Sequence, residues 1–221
     1  MSNGLVQICR GFTVEQWKAL RPRLAAGDQA AWNLGVDVFA RRIRERYLSS
    51  IEALLHADSG ATADVDVPPG APADGSTLPG VAAVVPGFAI VALCCLVIDA
   101  LQSFRPGASN STKDQFLAFL RRSTFAGGAF TDEVIAANFV KGIRHAVLHQ
   151  AETRGWLLWR SDPAVGIVED LGGGRFALNR TAFYEAIKVD FEEYCVALLS
   201  GRDGVLRQRF SAQMDDMLKK A

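Results

Sequence analysis

The stretch Asn138-Phe-Val-Lys-Gly-Ile-Arg-His-Ala-Val-Leu-His-Gln-Ala-Glu152 decides how the chain is read. It carries two of the three histidines, an arginine beside one of them and a glutamate three residues past the other. Residues three or four apart share a helix face. That rule puts Asn138, Lys141, His145, His149 and Glu152 along one polar ridge and leaves Arg144 off it. Phe139, Ile143, Ala146 and Val147 then face the other way, toward a core. An apolar back with a histidine-bearing front is the form expected of a helix that carries chemistry.

Working outward, Thr131 is expected to cap this helix, with Asp132 and Glu133 at its positive N-terminal end. The helix is expected to last until about Arg154-Gly155. Before it, Gly127-Gly128 breaks a helix that Ser111 or Thr112 can cap and that runs through Phe116, Leu117, Phe119 and Leu120 to Arg121-Arg122. Earlier still, Val81 to Leu101 is nearly all apolar, but Pro86-Gly87 interrupts it and Asp99 closes it. The part from Phe88 to Ile98 is 11 residues, short of the roughly 20 that a spanning helix requires. The reading is a helix buried on all sides, ended by Arg105-Pro106-Gly107.

Toward the N-terminus, Thr13 and Gln16 form a capping box ahead of Trp17, Leu20 and Leu24, and Pro22 is placed to bend that helix. Asp28 caps a second helix to about His56, with Trp32, Val36, Phe39, Ile43, Tyr47, Ile51 and Leu54/Leu55 on its apolar face. Arg41, Arg42, Arg44 and Arg46 read as a solvated face of the same helix. Ala57 to Gly80, rich in Ala, Asp, Gly and Pro, reads as a long loop. After Gly155, Trp156 to Arg160, Val165 to Val168 and Arg175 to Leu178 look like strands, with Gly172-Gly173-Gly174 as a hairpin tip and not a phosphate loop. Phe183, Ile187, Phe191, Tyr194 and Leu198 then recur at helical spacing, and a last amphipathic helix carries Leu206, Phe210, Met214 and Met217/Leu218. The class is mainly α, an up-and-down bundle with a small β-hairpin. The expected divisions are N-terminal helices over 1–56, a loop over 57–80, a helical core over 81–154, a hairpin over 155–179 and C-terminal helices over 180–221.

Composition narrows the function. Of 221 residues 49% are hydrophobic, which argues for a packed core and against disorder. Lys+Arg and Asp+Glu are both 24, so a non-specific nucleic-acid coat, which needs a basic excess, is not expected. Cys9, Cys94, Cys95 and Cys195 include no CxxC pair, and neither a zinc framework nor a disulfide scaffold is visible. The first residues have no basic n-region and no apolar h-region, so no signal peptide is expected and the cytoplasm is the default compartment.

Three readings compete for the central helix. His145 and His149 stand at i and i+4, as in the HExxH helix of metalloproteases, but Ala146 occupies the place of the general-base glutamate. A His145/His149/Glu152 facet would make a metal-dependent hydrolase, although ligands on three turns of one helix converge poorly on one ion. A second reading keeps the histidines structural, in a catalytically silent dimerisation or nucleotide- or RNA-binding module.

The third reading rests on Arg144-His145-Ala146-Val147-Leu148-His149. An arginine, a polar residue and a histidine five positions after the arginine, on the long helix of a bundle, resemble the signature of the HEPN ribonuclease superfamily (higher eukaryotes and prokaryotes nucleotide-binding). A preceding hydrophobic helix with a lone acid, Asp99, extends the resemblance over about 88–154. Arg144 and His149 are about 140° apart around an α-helix and roughly 7.5 Å along it, so one helix does not aim both at one point. The resemblance implies a homodimer that brings two such helices into a composite site. It implies metal-independent endoribonuclease activity, with no cofactor, leaving a 2′,3′-cyclic phosphate. Histidine suits proton transfer near neutral pH, and arginine holds phosphate bidentately. Arg144, His149 and His145 are thus the candidate catalytic residues, with Asp99 and Asn138 supporting them. Lys141, Arg121 and Arg122 are candidate RNA contacts. Asp99 is expected to have a partner, since an unpaired carboxylate beside an apolar run is costly. The resemblance also implies a toxin or phage-defence role with a possible antitoxin, and no membrane.

Overall fold

A computed structural model of the chain describes residues 6–59, 87–105, 113–147, 152–159 and 166–219. The described protein is mainly helical, with two small sheets. Strands β1 (Gln7–Cys9) and β2 (Phe12–Thr13) form a short antiparallel pair that the sequence does not announce. Helix α1 (Val14–Ala25) begins at the expected capping box, Thr13 with Gln16, and continues through Pro22 without a break. Asp28 caps α2 (Gln29–Ile43) by accepting from the Ala30 and Ala31 amides.

A wide π-turn, Arg44–Leu48, joins α2 to α3 (Ser49–Ser59). Its physical reason lies in the apolar spacing. Ile43 and Leu48 are five apart and both buried, and a turn closed by i→i+5 bonds keeps both on the core face. Tyr47, expected in that stripe, is only half-buried. The helix runs three residues beyond His56, so 57–59 are helical and not loop; the rest of the expected loop lies outside the described residues. Arg41 and Arg42 are not simply solvated. Arg42 donates to the Ile8 carbonyl at 2.8 Å and Arg41 to that of Arg10 at 3.2 Å, clamping β1–β2 to α2.

Helix α4 (Gly87–Phe104) runs through the middle, packed against α3, the 113–120 helix, the 156–159 strand and the last two described helices. It is the one described helix long and apolar enough to cross a membrane, and 61% of it is buried inside the protein. Cys94 and Cys95 are fully buried core residues, and burial pushes both thiols well up. Helix α5 (Lys113–Leu120) leads to a 3-10 turn at Phe125–Gly128, where Gly127 takes a left-handed φ of 60°. Helix α6 (Glu133–Phe139) is capped by Asp132 and not by Thr131. Asp132 accepts from the Val134 and Ile135 amides, whereas the Thr131 hydroxyl donates to the Gly128 carbonyl.

A second π-turn, Val140–His145, extends α6 through Ala146 and Val147. The expected helix to Arg154 is not observed. Residues 152–155 are not helical, and the Arg154 amide bonds back to the Gly142 carbonyl at 3.0 Å. Strand β3 (Trp156–Trp159) then joins β4 (Val168–Gly172) and β5 (Arg175–Asn179) in the order β3-β5-β4, with β3 parallel to β5. The C-terminal β unit is therefore a three-stranded sheet, more than the hairpin expected, with the triple glycine turning between β4 and β5. Helices α7 (Arg180–Ser200) and α8 (Gly204–Lys219) close the fold. Gly201, at φ 67°, ends α7, and Arg207 caps its last carbonyls, Leu198 and Leu199.

Two aromatic groups fill the core. Phe39 meets Phe104 at 4.6 Å and Phe210 at 5.4 Å, while Phe139 meets Phe130 at 5.1 Å and Phe183 at 5.2 Å. The α6 apolar back is as expected: Phe139, Ile143, Ala146 and Val147 are all buried.

Gly142 shows how tightly that back is held. A Cβ there would lie 2.5 Å from the Arg154 carbonyl oxygen and 2.8 Å from the Trp156 ring. Gly142→Ala gains about 1 kcal/mol of helix propensity, but the obstacle is backbone and cannot turn aside. The net expectation is a loss of about 1–3 kcal/mol, read from urea denaturation; a neutral or stabilised variant would contradict the close approach.

Candidate active-site groove

Asp99 and Arg144 meet across the α4–α6 contact. Asp99 is four residues past Cys95 on α4, at the point where the apolar run ends. Arg144 leaves the π-turn of α6 and grips the carboxylate with two nitrogens: Nη2 donates to both oxygens at 3.1 Å, and Nε donates to Oδ1 at 3.3 Å. Both side chains are about one-fifth exposed, 21% and 20%. The Gln102 amide donates to Asp99 Oδ1 at 3.3 Å from one turn further along α4. The Phe116 ring lies 4.9 Å from the Arg144 guanidinium carbon, a cation–π contact from α5. Asp99 thus has the partner its surroundings require. Its charge, after burial, also helps push the neighbouring Cys95 thiol up.

Arg144, with Asp99 behind it, forms part of the wall of an open groove of about 600 Å³. Asn138, Lys141, Arg144 and His145 line it from α6, with Lys113 from the start of α5. Val134, Ala137 and Val140 supply an apolar strip, and Val134 is 64% exposed. Lys113, Lys141 and Arg144 stand against one lining carboxylate, Glu133. With Asp99 behind Arg144 counted, three cations stand against two carboxylates, a small positive surplus within a chain of zero net charge.

Arg144 is not off the polar ridge. It stands three residues past Lys141 and His145 stands four past, so both border the same face. Asn138 makes an ordinary helical back-bond, its side-chain amide donating to the Val134 carbonyl at 2.9 Å. His145 is exposed at the groove. Among the described residues Arg144 bonds Asp99 through Nε and Nη2 and not through Nη1.

The other candidates disperse. His149 lies outside the described residues. Glu152 is not on the helix, and its carboxylate pairs with Arg154, so the helical facet of His145, His149 and Glu152 loses its premise. Arg121 reaches Glu133 at 3.8 Å. Arg122 points into a different cluster, where it and Arg105 hold the buried Asp190 carboxylate at 2.7 and 3.0 Å. Burial lowers the Arg122 guanidinium pKa from its ordinary value, and Asp190 works against that shift. Among the described residues no group of three or more His, Cys, Asp or Glu is placed to hold a metal ion.

Lys113, Val134 and Gln102 belong to this region and were not singled out from the sequence. Gln102, three residues past Asp99 on a helix already expected, carried the one readable signal. Comparison of the chain with protein-family models, with curated proteins and with solved structures gives no match.

Proposed function

We propose that the α6 groove binds RNA and cleaves its backbone without a metal ion. The observation that carries this reading is the Asp99-held Arg144 beside an exposed histidine, in a groove whose other cations are Lys113 and Lys141. Such a groove attracts a polyanion, and an arginine fixed by a carboxylate offers its remaining donors to a phosphate oxygen. In the proposed reaction the ribose 2′-oxygen attacks the adjacent phosphorus and the bond to the 5′-oxygen breaks. One histidine takes the 2′-hydroxyl proton and an acid returns a proton to the departing 5′-oxygen. The products are a 2′,3′-cyclic phosphate and a 5′-hydroxyl. His149 enters through the resemblance to the HEPN signature, as does the pairing of two copies that would place it opposite Arg144. The toxin or phage-defence role and an antitoxin partner rest on the same resemblance.

The test is incubation of purified protein with RNA in EDTA. Cleavage that survives chelation and falls about 10²–10⁴-fold in His149→Ala, the usual contribution of a general acid or base, supports the reading. Cleavage abolished by EDTA would favour the metal-dependent alternative. A second reading, RNA binding without cleavage, has its own support: Asp99 and Phe116 already engage much of the Arg144 guanidinium. Tight binding with intact RNA under every condition would select it.

A further inference from the structure

The outward face of α7 carries an apolar seam that no described element covers. Val189 and Val196 are 52% and 64% exposed and seven residues apart, and Leu199 follows at 37%. With Glu192 between them they stand at intervals of three, four and three, the a/d spacing of a helix that packs against another helix. The inward face of α7 is fully used, with Phe183, Ile187, Phe191, Tyr194 and Leu198 in the core. This seam is therefore surplus to the fold.

The charges beside the seam say what fits it. A shallow, mostly apolar groove runs along Val189, Val196 and Ala197, with Glu192 and Glu193 between the two valines and Arg202 at its C-terminal end. Among the described residues these three charged side chains form no ion pair, whereas the neighbouring Lys188 is paired with Glu52 at 3.4 Å. With the acidic pair on one side of Val196 and Arg202 on the other, this part of the surface is complementary to itself when turned end for end. Val196 and Ala197 lie between the acidic pair on α7 and Arg202, which stands in the turn just past the end of the helix and lines the same groove. An antiparallel copy related by a two-fold axis near Ala197 sets each Arg202 against the partner's acidic pair and brings the two Val196 side chains together. An isologous contact demands that self-complementarity.

We propose that α7 pairs with α7 of a second copy of this chain, antiparallel about an axis near Ala197, with Val196 at the centre and Glu192/Glu193 meeting Arg202 across it. The contact uses none of the groove residues on α6 and stands whether or not the groove cleaves RNA. Three helical turns make a small interface, below the roughly 1,200 Å² of stable specific complexes, so association should follow protein concentration in the micromolar range and weaken with salt.

Sedimentation over a concentration series tests it, with circular dichroism to show that each variant stays folded. Glu192→Arg and Arg202→Glu each place like charges together at both ends of the contact, so each alone is expected to halve the assembly mass at a concentration where the wild type is associated. Mixed one to one, the two variants regain opposite charges at both ends and should return to the wild-type mass. Val196→Glu should halve the mass and be rescued by neither. A wild type with no concentration-dependent mass, or an assembly that all three variants leave unchanged, would overturn the proposal, as would failure of the mixture to recover.

Discussion

Arg144→Ala is expected to lower RNA cleavage by about 10²–10³-fold, the usual effect of losing a donor aimed at developing charge. Stability alone cannot account for such a loss, and Asp99 provides the control. Removing either member of the Asp99–Arg144 pair leaves a one-fifth-exposed charge without its partner, so both Asp99→Asn and Arg144→Ala should cost about 1–3 kcal/mol of stability. Their effects on RNA should diverge. Asp99→Asn frees the guanidinium from its counter-charge and keeps its affinity for phosphate, so binding is retained or strengthened. Arg144→Ala removes the donor itself, weakens binding and lowers the slope of log affinity against log salt by about one. Arg144→Lys keeps the charge but not the planar fork, and cannot hold a carboxylate and a phosphate at once. Filter binding across a salt series, beside cleavage rates, separates these outcomes. Equal losses in Asp99→Asn and Arg144→Ala would make the pair a structural tie and nothing more.

The largest effect on stability is expected at Asp190. Its side chain is 6% exposed, accepts a hydrogen bond from Arg105 and is ion-paired with Arg122, which arrive from the end of α4 and from beyond α5. Arg105 also covers the Tyr194 ring at 4.9 Å and Arg122 the Phe119 ring at 4.2 Å. Asp190→Ala leaves two half-buried guanidinium groups side by side, with only the exposed Glu193 near Arg122 to offset them. Breaking a buried pair in this way costs about 3–5 kcal/mol, and for a chain of this size each kcal/mol lowers Tm by about 2–4 °C. A fall of ~10 °C in a thermal melt is the expected result, with Asp190→Asn milder because it keeps an acceptor. A drop of under about 1 kcal/mol, the range of surface pairs, would mean that the cluster is solvated after all.

Local chemistry was legible in the sequence. The Thr13/Gln16 box and the Asp28 cap involve residues within three positions of each other, and the α7 core stripe repeats within one helix, so neither needs knowledge of the rest of the fold. The expectation that Asp99 has a partner was also readable, because the cost of an unpaired carboxylate does not depend on topology. What failed depended on distant segments. Arg41 and Arg42 look like any solvated helix face until β1 and β2 fold onto them. Arg122 cannot be told from Arg121 by spacing, yet one is held at Asp190 and the other lies near the surface. Thr131 and Asp132 both suit a cap, and adjacency alone does not choose between them. The end of the central helix was misplaced because the Arg154 amide finds its acceptor twelve residues back, at Gly142. In the groove itself, Lys113 comes from another helix, and no periodicity within α6 points to it.

A part-buried contact joins the two ends of the described chain. The Trp17 indole N–H and the Arg21 guanidinium both reach Asp215, at 3.0 and 2.8 Å, and so fasten α1 to α8 across nearly two hundred residues of sequence. Closing so long a loop gains nothing until most of the intervening chain is in place. The latch is thus expected to form late in folding, and while it holds, α1 is not expected to fray apart from α8. The first and last described helices are thereby expected to open together, although nearly two hundred residues of sequence separate the residues that join them.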